Sequence, residues 1–389
     1  MLRTYRYLLR PNSSQAEMLE FLVEQHRLVY NLALEQRINT YKENGKGITY
    51  PSQWKHFRDL RRDNPDTLGL VNMSSLQQTL RRLDKAYSAF FRRLKSGEKP
   101  GFPRFKSRSR FNAIEYTYGD GCKLRTSENG RVTFYVQNVG EVRVCYHRSI
   151  PENAGIKHAC ITRRNERWYV LLAMDLPNTS AHREPTGRQV GVDVGLKNIA
   201  VLSTGEFIQN PHWLRNSLAK LRRLQRHASR QVKGSQRQRK TYQQIARLYE
   251  HIEHQRRDYL HKQSKRLVEE YDLIAIEDLA LAFMNRNRHL ALSSHDAGFG
   301  IFRQMLEYKA ESAGIPVIAV KPANTSQACS GCGSIVPKDL SVRLHECPQC
   351  GLVLDRDVNA ARNILTLALQ NPLGRSGQPV TWAVAPGVG

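Results

Sequence analysis

Two Cys-x-x-Cys pairs, Cys329/Cys332 and Cys347/Cys350, stand fourteen residues apart. No other stretch restricts local folding so tightly. Four thiolates at this spacing offer zinc a closed tetrahedral shell, and Gly331, Gly333 and Gly351 supply the tight turns such knuckles need. A shell of four sulfurs leaves no open coordination position, so the expected role is structural, a zinc ribbon that staples a loop. Directly behind it come Asp355 and Asp357, then a helical pattern over 359–369. The staple is expected to hold Asp357 on a rigid knot and deliver it to acids from elsewhere in the chain.

Two such acids stand upstream. From Arg188, RQVGVDVGLKNIAVLSTGEFIQN reads as three strands joined by turns, with Asp193 flanked by Gly191 and Gly195. YDLIAIEDL (271–279) is a buried strand carrying Glu277, and GIPVIAVKP (314–322) is a strand leading into the ribbon. An acid among Val, Ile and Ala is costly to bury unless a cation compensates it. One alone reads most simply as a strand-end carboxylate in water or a cap. Three together, Asp193, Glu277 and Asp357, point to a shared metal site whose hard oxygens select Mg²⁺ or Mn²⁺. Two such ions roughly 3.5–4 Å apart would suit phosphodiester hydrolysis. Asp278 follows Glu277 in a strand and should point the opposite way; Asp355 is expected to support the site. His251 and His254 lie on a basic helix without acids at ligand spacing, and His289 and His295 fall in a stretch, 280–297, that reads as loop.

The charge says what such a site would act on. The chain has 389 residues, with 60 Lys plus Arg against 35 Asp plus Glu, net +25. This much like charge calls for a polyanionic partner. No apolar run approaches the roughly 20 residues of a membrane-spanning helix, and MLRTYRYLLRPNSS is too short and polar for a secretory signal. Cys122, Cys145 and Cys160 are scattered, as expected of reduced thiols in a cytosol.

The N-terminal part is mixed. Residues 2–10 alternate like a strand, and Ser14 to Glu17 reads as a capping box opening a helix striped with Leu19, Leu22, Val23, Tyr30, Ala33, Leu34 and Tyr41. A second helix is expected over 74–94, with Gln77, Gln78 and Arg81 beside its apolar stripe. In KPGFPRFKSRSRF (99–111), Arg104, Lys106 and other cations interleave with Phe102, Phe105 and Phe111. Either this binds nucleic acid or it is a linker with aromatics tucked into a core. Period-two segments over 113–176 suggest a small β-barrel joined by strand 2–10. Residues 177–187 read as a linker and 213–271 as helical. Within the latter, 221–240 holds eight Lys or Arg and no acid, Arg222, Arg223, Arg226 and Arg230 among them. A helix is expected over 299–312, and the Gly/Pro-rich tail 371–389 is expected to be disordered.

GVDVGLKNIAVLSTG, IAIEDL, TSQACSGCG and CPQCGLVLDRDVNAARNIL, with SSLQQTLRRLDKAYSAFFRRLKSGEKPGFPRFKSR upstream, closely resemble the TnpB (OrfB) proteins of bacterial insertion sequences, compact relatives of type V CRISPR effectors. The resemblance implies an α+β multidomain fold. Its parts would be a wedge β-barrel (1–10 and 99–186), an inserted helical recognition domain (11–98), an RNase H-like, RuvC-like nuclease core (187–322) with an inserted zinc ribbon (323–353), and a C-terminal helix (354–370) bearing the third acid. It puts catalysis on Asp193, Glu277 and Asp357. It implies an RNA-guided DNA endonuclease of the bacterial or archaeal cytoplasm, monomeric in its RNA complex. Its guide RNA would come from the transposon end and its target would be double-stranded DNA with an adjacent motif. In that scheme pairing reads sequence and protein reads the flanking motif. Gln77 and Gln78 are candidates for the latter, since an amide can bond an adenine edge twice, and the 221–240 segment would hold guide RNA or displaced strand. Three other activities are compatible with such a chain. A repressor that binds without cutting should have lost an acid; a transposase proper would use the same acids without RNA; a miniature type V effector would take its guide from a CRISPR array.

Overall fold

The computed structural model describes residues 2–176, 184–278, 291–339 and 342–370. It is an α+β chain of two compact units, 1–178 and 179–389.

In the first unit, β1 (Leu2–Arg10) is followed by helices α1 (Ser13–Asn44), α2 (Tyr50–Asp63) and α3 (Met73–Lys95). Six further strands follow: β2 (Ala113–Thr117), β3 (Cys122–Thr126), β4 (Val132–Val136), β5 (Gly140–Cys145), β6 (Gly155–Arg164) and β7 (Arg167–Asp175). They form one antiparallel sheet, β2-β6-β7-β1-β5-β4-β3, with the N-terminal strand in its middle. The expected barrel is, by its hydrogen bonds, a seven-stranded ladder ending on β2 and β3. Alternate residues of β1 (Tyr5, Tyr7, Leu9) and β7 (Trp168, Val170, Leu172, Met174) enter the same core as Leu19, Leu22, Tyr30 and Leu34 of α1 and Leu76, Leu80 and Leu83 of α3. Helices and sheet thus share one apolar interior.

Three local features differ from the sequence reading. The capping box of α1 uses Asn12 and Gln15, each side chain accepting the other's backbone N–H, rather than Ser14 and Glu17. Asn caps as well as Ser, and Pro11 already stops the strand. Helix α2 escaped notice because its buried residues are few, chiefly Gln53 and Phe57. Buried Arg37 anchors it by donating to Gln53 Oε1 (2.6 Å) and to Asp84 on α3 (2.8 Å). Strand β3, CKLRT, is mostly polar and is held by pairing with β4.

The second unit is built on β8 (Gln189–Asp193), β9 (Asn198–Leu202), β10 (Phe207–Gln209), β11 (Leu273–Glu277) and β12 (Val317–Val320). The order is β10-β9-β8-β11-β12; the first three are antiparallel, and β8, β11 and β12 run parallel. Helices α4 (Trp213–Ser229) and α5 (Gln236–Glu270) form the basic arm. Next come α6 (Ala291–Ala297) and α7 (Phe299–Ala313), then the ribbon with hairpin β13 (Leu344–Glu346) and β14 (Val353–Asp355), and finally α8 (Arg356–Gln370). Residues 291–297, including His295, are therefore helical rather than loop. His289 and the 371–389 tail lie outside the described residues, as do 177–183 of the expected linker.

Period two decides which way the sheet's residues face. Val190, Val192, Ile274 and Ile276 pack with Leu260, Leu267 and Phe302 from α5 and α7. Leu273, Ala275, Ile318 and Val320 turn the other way, onto Ile364 and Ala368 of α8. Near-continuous apolar strands are the mark of parallel strands covered on both faces.

Candidate active site and zinc ribbon

The same alternation places the acids. Glu277 shares the parity of Leu273 and Ala275, and Asp193 that of Gly191, so both belong to the α8 face. The last residues paired between β8 and β11 are Val192 and Ile276. Asp193 and Glu277 each follow by one residue, side by side at the strands' C-terminal ends. Helix α8 lies against β8 at Gly191, where a β-carbon would stand 1.9 Å from the Ala361 carbonyl oxygen. Asp357 precedes Ala361 by four helix residues, about 6 Å, and Asp193 follows Gly191 by two strand residues, about 6.6 Å. The two spacings match, and the third acid is delivered beside the first.

Electrostatics records this proximity. Burial pushes Asp193 well above the usual carboxylate range, Asp357 and then Glu277 push it further, and Arg356 opposes them. Glu277 is raised by burial and partly relieved by the Thr325 hydroxyl, which donates to its Oε1 at 2.6 Å. Asp357 accepts from Arg356 (3.1 Å) and faces Arg343 at 3.5 Å. Among the described residues, only the four cysteines bring their donor atoms within 4.8 Å of one another; the three carboxylates are neighbours at a wider spacing. Asp355 caps α8, its Oδ1 accepting from the backbone N–H of Asp357 (2.8 Å) and Val358 (3.3 Å). It supports the acid behind it. Asp278 turns away, accepting from Arg303 of α7 at 2.8 Å.

In the ribbon, Cys329 Sγ lies 3.6 Å from Cys350 Sγ, and Cys332 Sγ lies 3.5 Å from Cys347 Sγ. Tetrahedral zinc with bonds of about 2.3 Å wants sulfurs about 3.8 Å apart, so the donor set fits the ion. Gly333 and Gly351 take left-handed φ of 79° and 74° after each second cysteine. Gly331 serves differently, since its missing β-carbon leaves space beside Leu352 and the sulfurs. Asn359 and Asn363 of α8 clamp this knuckle. Asn359 donates to Ala328 O (2.7 Å) and accepts from Ser330 N–H (2.8 Å), and Asn363 donates to the carbonyls of Thr325 (2.8 Å) and Ala328 (2.7 Å). The sequence reading missed Thr325, Asn359, Asn363, Arg343 and Arg356. The Asn359/Asn363 spacing, one turn apart beside Asp357, was the available signal.

The basic candidates separate. Arg222, Arg223, Arg226 and Arg230 are all exposed, and among the described residues none pairs with a carboxylate. Three of them line an open cavity of about 700 Å³ with Lys220 and His227. Gln77 and Gln78 do not share a helix face: Gln77 is half-buried, whereas Gln78 is buried and donates to Thr117 Oγ1 at 3.4 Å. Gln78 also borders a cavity of about 240 Å³ with Arg82, Lys85 and Glu115. Arg81 is exposed, its guanidinium 5.8 Å from the centre of the Tyr50 ring. Arg104 is exposed, whereas the Lys106 backbone is tied to the Asn31 amide in both directions (2.8 and 3.0 Å). Phe111 enters the core, while Phe102 and Phe105 stay exposed. Of the three phenylalanines in 99–111, Phe111 alone is tucked into the core.

Three family models match: "Probable transposase" of the OrfB/IS605 type over 172–288, "Cas12f1-like, TNB domain" over 299–364, and a helix-turn-helix domain over 1–46. A Streptomyces pristinaespiralis protein named "Putative RNA-guided DNA endonuclease" is 35% identical over 377 residues, covering 94% of this chain and 89% of its own length. An Escherichia coli K12 protein of the same name, designated InsQ, is 31% identical over 388 residues, covering 94% and 92%. The chain belongs to the TnpB (OrfB) family. Its fold is similar to that of Cas12f1 in a complex with single-guide RNA and target DNA (TM-score 0.62, 19% identity, covering 91% of this chain and 83% of that one). No described helix is long and apolar enough to cross a membrane.

Proposed function

We propose that this chain is a transposon-encoded, RNA-guided DNA endonuclease whose hydrolytic groups are Asp193, Glu277 and Asp357. The observation that carries the reading is the convergence of these three acids on the α8 face, in a chain matching RNA-guided endonucleases over nearly its whole length. The strand order of the second unit agrees with an RNase H-like core. The donor chemistry fits a hard divalent cation, Mg²⁺ or Mn²⁺: three carboxylates, one of them disfavoured as a charge by burial and by the other two. A bound divalent cation would supply Lewis acidity and an activated water for phosphodiester hydrolysis. The residues of the chain prepare for it. Arg343 and Arg356 hold Asp357, Thr325 holds Glu277, and Asp355 fixes the helix end that carries Asp357.

The first unit would grip the heteroduplex and flanking duplex, and the α4 stripe the guide RNA or displaced strand, with pairing choosing the target. The test is cleavage of a matched duplex by the protein purified with its co-purifying RNA, which is sequenced. Asp193→Ala, Glu277→Ala and Asp357→Ala should each lower cleavage at least ~100-fold while target binding holds. Full activity in Asp357→Ala together with loss in Asp355→Ala would show that Asp357 is the wrong acid. Transfer of transposon ends without RNA would replace the reading with a transposase.

A further inference from the structure

The glutamate at the end of β11 is held by a residue 48 positions later, in the turn that leads into the ribbon. Thr325 is 5% exposed, and its hydroxyl donates to Glu277 Oε1 at 2.6 Å. A single hydroxyl proton goes to the nearer, charged acceptor rather than to the Pro322 carbonyl at 3.3 Å. This bond restrains one carboxylate oxygen of a half-buried side chain at a strand end. Among the described residues no donor takes Oε2, which is left for another ligand.

The turn is fixed from both sides. Asn363 takes the Thr325 carbonyl and, with Asn359, the Ala328 carbonyl; Asn359 also receives the Ser330 N–H. Cys329 lies between Ala328 and Ser330, and Asp357 lies two residues before Asn359 on the same helix. One hydrogen-bonded network thus joins the first zinc knuckle, the helix bearing one acid and the hydroxyl aiming another.

We propose that Thr325 is a positioning residue for Glu277, and that through it the ribbon's leading turn sets the aim of the acid site. The proposal rests on the reading of the three acids as a metal-binding hydrolytic site. Partners that orient a metal's ligands typically contribute 10–100-fold to affinity or activity, and the buried, short bond at Thr325 belongs with them. Valine matches threonine in shape and lacks only the hydroxyl; serine keeps the hydroxyl and lacks the methyl.

The experiment compares wild type, Thr325→Val and Thr325→Ser as complexes with guide RNA. Four quantities are read: single-turnover cleavage at saturating target, target affinity, Mn²⁺ affinity by electron paramagnetic resonance, and zinc content by elemental analysis. The expected result is a loss of about 10–100-fold in rate and in Mn²⁺ affinity for the valine variant, with target affinity and zinc unchanged, and recovery in the serine variant. Wild-type rate and Mn²⁺ affinity in Thr325→Val would overturn the proposal. So would loss of zinc in both variants, which would make Thr325 a structural turn residue. Should the wild-type complex bind Mn²⁺ but cut no DNA, the endonuclease reading fails, and the Mn²⁺ titration still decides whether Thr325 aims Glu277.

Discussion

Gly191 of β8 and Ala361 of α8 are in backbone contact: a β-carbon built on the glycine would stand 1.9 Å from the alanine carbonyl oxygen and 2.9 Å from the Leu365 nitrogen. Only a residue without a side chain lets this helix lie down on this strand. The approach has a chemical consequence, because Asp193 is two residues beyond the glycine and Asp357 one turn before the alanine. The distance between two acids is therefore set by a glycine that belongs to neither.

Gly191→Ala should accordingly damage both fold and site. Backbone atoms cannot yield as a flexible side chain would, so the helix must move away. Overpacking of this kind costs about 1–3 kcal/mol or more. Thermal unfolding of the second unit should drop by several degrees, and the variant that remains folded should lose cleavage even at high Mg²⁺. A variant with wild-type stability and rate would show that α8 does not rest on Gly191 in solution.

Asp193 offers a test in the opposite direction. Its folded-state pKa is raised by burial, with the charges of Asp357 and Glu277 next, so the folded chain binds this proton more tightly than the unfolded one. The resulting stabilisation is full below the unfolded carboxyl range, near pH 3.9, and is lost as pH rises through the raised value. As pH rises, ionising this buried acid increasingly opposes folding. Asp193→Asn should raise the melting temperature of the metal-free protein at pH 7–8, by about 2–4 °C for each kcal/mol relieved, and the gain should shrink toward pH 5. Adding Mg²⁺ should stabilise wild type and not the variant. A lower melting temperature for Asp193→Asn at every pH would contradict this.

What was legible in the sequence followed from local rules. Two CxxC pairs define a knuckle wherever they occur, and an acid in VGVDVG or LIAIED is conspicuous because its neighbours are apolar. Those rules led to the four cysteines and three acids. They could not reach the partners supplied by tertiary structure: Thr325 meets Glu277 across 48 positions, Arg343 meets Asp357 across a hairpin, and Gly191 meets a helix 170 residues away. Gln77 and Gln78 illustrate the converse limit, since adjacency in sequence does not make a shared surface. Neighbours in sequence, they point about 100° apart on a helix, and only one borders the cavity near Arg82.

Removing a zinc ligand should propagate beyond the ribbon. With Cys329→Ser or Cys350→Ser the knuckle loses the metal-binding free energy that folds it, and the Asn359/Asn363 clamp then has no fixed carbonyls to hold. Elemental analysis should show loss of zinc, and hydrogen exchange should accelerate over 320–360, the first turn of α8 included, while the 2–176 unit keeps its protection. Absence of zinc from the pure, folded wild-type protein would refute the assignment, and faster exchange confined to the cysteines would refute the coupling.

The basic arm ties charge to partner. Arg222, Arg226 and Arg230 recur every four residues, so they fall on one stripe, and Arg223, Arg226 and Arg230 border the open cavity on α4. Among the described residues no carboxylate neutralises them, and gathering this charge on one surface is relieved by a polyanion. Each phosphate neutralised releases counterions and adds about −0.7 to −0.9 to the slope of log affinity against log salt. Replacing the four arginines with Gln should therefore flatten the guide-RNA slope by up to about 2.8–3.6, weaken binding most at low salt, and leave the chosen target unchanged, since pairing sets it. The measurement is guide-RNA affinity over a salt series for both proteins. An unchanged slope would remove α4 from the RNA path and make its arginines an ordinary solvated helix face.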